Sequence, residues 1–213
     1  MHSNKIEHYK QALKLSDFQR EVLVGTLLGD GCLETQNQGR TYRLKIEHSL
    51  SQKEYVDWKY KIFKNLVLSE LRIRKFKAYG VERKNYCFST LSIGALRFYA
   101  HQFYENKRKI VPKLINRMLT PLALAVWFMD DGSIKSDQHR ALVIHAQSFA
   151  KDDLERIIQV LKRKFNISAV LRKRKDGSGY VIYLLSETIK NFIDLTEPYI
   201  LPSMKYKLGN TIA

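Results

Sequence analysis

Cysteine, proline and acidic residues are all scarce in this 213-residue chain, and each shortage removes a class of protein. Cys32 and Cys87 are the only cysteines and share no CxxC spacing, which argues against a disulfide framework or a structural zinc site. The six histidines contain no HxxxH or HxH pair, so a zinc enzyme is not expected either. With 4 prolines and 10 glycines, no linker or low-complexity tract interrupts the chain. No apolar run approaches the ~20 residues of a membrane span. Met1 to Lys14 is polar and mixed in charge, without the apolar stretch of a secretory signal. The expectation is a protein that is not secreted, placed in an organelle interior (mitochondrion or chloroplast) or in a bacterial or archaeal cytoplasm.

Against 21 acids stand 37 lysines and arginines, a net charge of +16 and a pI near 9.8. Such an excess repels itself in the folded state and calls for a polyanionic partner. The basic residues cluster in strand-like segments rather than on an amphipathic helix, which favours nucleic acid over a membrane surface. Hydrophobic residues make up 45% of the chain, enough for a real core.

The most telling stretch is Leu124-Ala125-Val126-Trp127-Phe128-Met129-Asp130-Asp131-Gly132, because Leu23-Val24-Gly25-Thr26-Leu27-Leu28-Gly29-Asp30-Gly31 is an imperfect copy of it. The aspartates are 131 − 30 = 101 residues apart. After each Asp-Gly comes a polar segment, a strand-like run and a serine opening a helix. In the first half the strand is Tyr42 to His48, with Tyr42, Leu44 and Ile46 alternating against Arg43, Lys45 and Glu47. The helix after Ser49 carries Tyr55, Trp58, Ile62 and Leu66; the one after Ser148 carries Leu154, Ile157, Leu161 and Phe165. Both stripes share one spacing, at a constant offset of 154 − 55 = 99. A second strand pair follows in each half: Leu71 to Tyr79 with Asn85 to Leu91, then Ala169 to Lys175 with Tyr180 to Leu185 across the Asp176-Gly177-Ser178-Gly179 turn. The halves close on Ile110-Val111-Pro112 and Ile200-Leu201-Pro202. The chain therefore reads as two copies of an α-β-β-α-β-β-α unit, residues 1–119 and 120–213, in an α/β fold of the α+β type.

An apolar helix that ends in a carboxylate is poorly arranged for stability alone, since the dipole there disfavours negative charge. One such helix would read as a core helix with an Asp-Gly cap; two within a repeat need another reason. Gly25 and Gly29 are four apart on one face, and glycines that cost helix stability signal close approach of a second backbone. Ala125 is small, but Val126 and Asp130 match Gly25 and Gly29, so looser packing is expected there. Side by side, the helices would bring Asp30 and Asp131 together. Neighbouring carboxylates stay ionised cheaply only with cations, and Mg²⁺ needs only one or two carboxylates plus phosphates.

These residues resemble the LAGLIDADG homing endonucleases, in the two-motif monomeric subgroup, over roughly Ser16 to Ile212. Asp30 and Asp131 fall at the motif's eighth position, Gly31 and Gly132 at its ninth. Thr120-Pro121, Gln147-Ser148-Phe149, Tyr199 to Pro202, Tyr206-Lys207-Leu208 and Asn210-Thr211-Ile212 add to the match. Leu28 stands where the motif's first Asp would be, and Thr26 replaces an apolar residue. The resemblance implies a pseudo-two-fold monomer with the motif helices at its central interface and two antiparallel sheets forming a saddle over DNA. It also implies Mg²⁺-dependent cutting of both strands at a long site, with short 3′ overhangs, two or three divalent ions, and Mn²⁺ as a substitute. Carried over by position, Asp30 and Asp131 are metal-binding catalytic acids, the carbonyls of Gly29 and Asp130 complete part of the shell, and Lys109 and Lys207 are active-site lysines.

Two-stranded ribbons suit the DNA major groove. Arg40, Arg43 and Lys45 flank the first hairpin, and Arg72, Arg74, Lys75, Lys77, Arg83 and Lys84 crowd the second. Lys135, Arg140, Arg172, Lys173, Arg174 and Lys175 follow in the other half. Strand alternation lets only about half of each cluster face DNA. Solubilising faces would mix charges, whereas Arg72 to Lys77 and Arg172 to Lys175 contain no acid. The expected partner is double-stranded DNA. Two other readings stand beside the nuclease: a maturase that binds its own intron RNA, and a non-cutting DNA-binding protein, which would have no need of both acids.

Overall fold

The computed structural model describes residues 4–136 and 139–212, with the side chains of residues 136–140 and 210–212 outside that description. By packing, the chain divides into two compact units, residues 1–20 with 30–100, and residues 21–29 with 101–213.

Two helices open the chain, α1 (Asn4–Ala12) and α2 (Asp17–Leu28). A reciprocal cap starts α2. Ser16 Oγ accepts from the Gln19 amide at 3.2 Å, and Gln19 Oε1 accepts from the Ser16 amide at 3.0 Å. The first sheet is antiparallel, in the order β1-β2-β4-β3, formed by β1 (Cys32–Glu34), β2 (Arg43–Ser49), β3 (Arg72–Ala78) and β4 (Val81–Ser89). Along β2, Leu44, Ile46 and His48 are buried while the residues between them are half-exposed, the alternation of a sheet with one covered face. Helix α3 (Lys53–Ile62) covers that face, burying Tyr55, Val56 and Lys59. Helix α4 (Arg97–Phe103) follows.

The second unit contains a small hairpin, β5 (Tyr104–Glu105) with β6 (Arg108–Lys109), then α5 (Ile115–Met118) and α6 (Pro121–Asp131). Pro121 at the first turn and Thr120 as the N-cap, accepting from the Ala123 amide at 3.1 Å, explain where α6 begins. Residues 122–130 of α6 are all buried, as expected for a helix apolar on every side. The second sheet has the order β7-β8-β10-β9: β7 (Gly132–Ser136), β8 (His139–His145), β9 (Ala169–Lys173) and β10 (Tyr180–Leu184). Its topology repeats that of the first sheet. Helix α7 (Lys151–Phe165) buries the stripe Leu154, Ile157 and Leu161. Helix α8 (Ile189–Thr196) sets Phe192 edge-on to Phe128 of α6, with ring centroids 5.0 Å apart. A 3-10 segment, Pro202–Ile212, closes the described chain. No helix among the described residues is long and apolar enough to cross a membrane.

The expected α-β-β-α-β-β-α order is thus present twice, as α2-β1-β2-α3-β3-β4-α4 and α6-β7-β8-α7-β9-β10-α8. Strand limits move by a few residues. The fourth strand of the first half, β4, starts at Val81 rather than Asn85, because Tyr79 and Gly80, both at positive φ (52° and 78°), make a tight hairpin turn.

Candidate nuclease site

The end of α2 from Glu21, with Gly29 just beyond it, packs on α6 within the second unit, and the glycines there decide how closely. A Cβ added at Gly25 would collide with the Ala123 carbonyl and with Val126; one at Gly29 would collide with the Asp130 side chain. The looser fit expected from Val126 and Asp130 is therefore absent. The larger side chains sit on one helix and the missing ones on the other, so the contact is tight and one-sided. At the other end of the pair, Thr120 donates its hydroxyl to Glu21 Oε2 at 2.5 Å.

Two lysines meet the ends of these helices in the same way. Lys109, on β6, donates from Nζ to the carbonyl of Gly29 at 2.5 Å. Lys207, in the C-terminal 3-10 segment, donates to the carbonyl of Asp130 at 2.7 Å. Each carbonyl belongs to the residue immediately before a motif aspartate, Asp30 or Asp131. Both carbonyls are among those expected to help ligate metal, and both accept from ammonium groups here.

Asp130 is buried, 8% exposed, in the last turn of a helix that has no basic residue there. Asp131 is half-buried and its Oδ2 accepts from the indole N–H of Trp127 at 3.2 Å, one helical turn back. Asp30, in the first unit, keeps 49% of its side chain exposed, and its Oδ2 lies 3.4 Å from Nδ1 of His48. In the second unit, His145 Nε2 and Ser133 Oγ are 3.0 Å apart. Burial, then the positive charges of Arg174 and Lys207, lower the His145 pKa below its ordinary 6.5.

Strand register sorts the basic residues. Arg43, Lys45, Arg72, Arg74 and Arg83 share the face of the first sheet turned away from its core. Lys75, Lys77 and Lys84 project from the opposite face, exposed near the hairpin tip beyond the cover of α3. Arg40 lies in the exposed turn before β2. On the second sheet, Arg172 stacks over the Tyr183 ring at 4.5 Å and Lys135 at 5.4 Å. Lys173 falls on the other face, Arg174 is clamped to Asp176 at 2.9 Å, and Lys175 is exposed in the turn. The side chain of Arg140 lies outside the described residues.

The acid-free runs do not make an acid-free face. Glu34 grips Arg43 through Nε and Nη2 at 3.0 and 2.7 Å, and Glu47 meets Arg74 at 3.2 Å and Lys45 at 3.4 Å. Burial pushes the Glu47 pKa up, but hydrogen bonds from Asn85 and Lys45 and the charges of Lys45 and Arg74 outweigh it, leaving the carboxyl below its usual value. Sequence reading missed the partners of Arg43 and Arg74 because these come from neighbouring strands. It also missed His48 and Lys59, although one signal was available. His48 continues the buried series Leu44 and Ile46, and a polar side chain at a core position needs a partner.

Two four-stranded sheets of repeated topology and the close packing of α2 on α6 define a class of duplicated α+β proteins. The chain belongs to the LAGLIDADG DNA endonuclease family, whose profile matches residues 20–192. It is 32% identical over 212 residues to DNA endonuclease I-ChuI of Chlamydomonas applanata, covering 93% of this chain and 97% of that protein. It is 31% identical over 194 residues to cytochrome b mRNA maturase bI2 of Debaryomyces hansenii, covering 89% and 73%. Among solved structures, the homing endonuclease I-WcaI bound to its DNA recognition sequence superposes with a TM-score of 0.90 at 30% identity, covering 97% of this chain and 93% of that one.

Proposed function

We propose that this protein is a site-specific, intron-encoded endonuclease that cuts both strands of a long duplex target and leaves short 3′ overhangs. Asp30 and Asp131 are its catalytic carboxylates, one from each half of a duplication divided near residues 119 and 120. The observation that carries this reading is the matched pair of lysines, each bonded to the carbonyl next to a motif aspartate. A chain conserving fold alone has no need to place two ammonium groups so.

The donors suit a hard divalent cation. Asp30, Asp131 and the carbonyls of Gly29 and Asp130 offer oxygen only, the set Mg²⁺ prefers and Mn²⁺ accepts. When bound, such ions supply Lewis acidity and lower the pKa of coordinated water. The chain's own residues do the rest. The Trp127 indole fixes the direction in which Asp131 presents its carboxylate. Lys109 and Lys207 place positive charge where a scissile phosphate gains negative charge. Arg43, Lys45, Arg72, Arg74, Lys135 and Arg172 hold the duplex by phosphate and base contacts. The protein acts as a monomer, in an organelle interior or a prokaryotic cytoplasm.

The test is incubation with duplex carrying the intron-insertion junction, first with Mg²⁺ and then with EDTA. Double-strand cutting should need the metal. Asp30→Asn and Asp131→Asn should each lower it by about 100- to 1,000-fold while Ca²⁺-supported DNA binding persists. Robust cutting by either variant rejects these roles. The kinship with a maturase supports a second activity on the same scaffold, assistance to splicing of the protein's own intron. Wild-type protein should then accelerate splicing of the cognate transcript in vitro; an unchanged splicing rate removes that reading.

A further inference from the structure

The first unit carries a buried polar relay behind Asp30 that the motif does not announce. Only 3% of the His48 side chain is exposed, and it sits at the core-facing end of β2. Its Nδ1 is 3.4 Å from Asp30 Oδ2, and its Nε2 is 3.3 Å from Nζ of Lys59. Lys59 lies on α3 with no exposed surface, its ammonium 4.2 Å from the centre of the Tyr55 ring. Tyr55 in turn packs against His48, with ring centroids 5.2 Å apart.

Donor and acceptor chemistry orders this chain. An ammonium has three donors and no acceptor. Towards Lys59, Nε2 must therefore present its lone pair, which puts the proton of the neutral ring on Nδ1, aimed at the carboxylate. Fixing an imidazole tautomer through its second nitrogen is how outer groups orient the ligands of metal sites.

The duplicated half dispenses with the relay. Leu44 opposite Leu33 corresponds to Leu142 opposite Ile134, so strand register sets Ala146 where His48 stands. The helical stripe that matches Leu154 to Tyr55 sets Ile158 where Lys59 stands. The second half thus sets Leu154 and Ala146, both buried, and a half-buried Ile158 where the first has Tyr55, His48 and Lys59. Burying a lysine and a histidine is unfavourable against apolar residues of like volume, so packing alone does not account for the pair.

We infer that His48 is a positioning residue which, held by Lys59, donates Nδ1–H to Asp30 and fixes the direction of that half-exposed carboxylate, making the two halves of the nuclease chemically unequal. The inference rests on the nuclease reading above. Asp131 is oriented instead by Trp127, so losing His48 affects only the strand that Asp30 serves.

The experiment follows each strand of the junction duplex separately, labelled at one 5′ end or the other. The nicks made by Asp30→Asn and Asp131→Asn identify which strand depends on which carboxylate. His48→Leu should slow the Asp30-dependent strand by about 10- to 100-fold, the usual loss when a ligand-orienting group is removed, with the other strand and Ca²⁺-supported DNA affinity unchanged. His48→Asn, whose amide can donate from nearly the same place, should recover most of that rate. Lys59→Met should reproduce the strand bias. Independently of cutting, two-bond ¹H–¹⁵N spectra of the wild-type protein should show the His48 proton on Nδ1. Equal slowing of both strands, no slowing of either, or a proton on Nε2 overturns the inference. A wild-type protein inactive on its junction duplex would instead overturn the nuclease reading, and the ring spectrum still decides the tautomer.

Discussion

Single side chains divide here into those with a repeated partner and those without one. Lys109 and Lys207 occupy unrelated elements, a two-residue strand and a 3-10 segment, yet each donates to an equivalent carbonyl. Lys109→Met and Lys207→Met should each reduce cutting about 100-fold while leaving Ca²⁺-supported DNA affinity within about twofold; strand-resolved cleavage and a filter-binding titration read both. His145 gives a pH effect. Burial and the nearby Arg174 and Lys207 depress its folded pKa, so below about pH 6.5 the unfolded chain takes up a proton that the folded chain refuses. Its contribution is intact above 6.5 and is lost as pH falls towards the depressed folded value. Urea unfolding from about pH 7.5 down to about pH 5 should show a slope that is shallower in His145→Gln. The two motif aspartates were legible because they are repeated, in order, at helix ends. His48 was not, since one buried histidine on a strand looks the same in sequence whether it packs or positions.

Secondary elements were legible wherever the apolar period was long. The stripe of α7 and the alternation of β2 located those elements and their faces; α3 was located too, but it buries Val56 and Lys59 beside Tyr55 rather than Trp58 and Ile62, and Leu66 lies beyond its end. The hairpin that carries Lys109 was not legible, because two-residue strands have no period to detect. The close contact of α2 with α6 was legible in part. Gly25 and Gly29 announced it, but reading Val126 and Asp130 as obstacles overlooked that a glycine opposite a larger residue restores the fit. The usual gain from Gly→Ala inside a helix, about 1 kcal/mol, should therefore reverse sign at Gly25. Gly25→Ala should lose about 1–3 kcal/mol through overpacking, measured by the urea midpoint at constant slope; a stabilised variant would show that the helices can move apart freely.

For the molecule as a whole, an excess of +16 charges should govern affinity before any base is read. Binding should fall with salt along a log–log slope of about −0.9 per phosphate neutralised, and Arg72→Ala or Arg172→Ala should each lower that slope by about 1 if the residue holds a phosphate; fluorescence anisotropy across a salt series reads it. The duplicated topology was legible because both halves keep element order. Charge pairing was less so, because Glu34 and Glu47 lie on other strands from the arginines they order. Central to the account is the binding of divalent cations by the two motif aspartates. Anomalous diffraction from Mn²⁺-soaked crystals of the DNA complex tests it most directly. Peaks within about 2.0–2.6 Å of carboxylate oxygens of both Asp30 and Asp131 are predicted. Peaks that avoid either residue would contradict it.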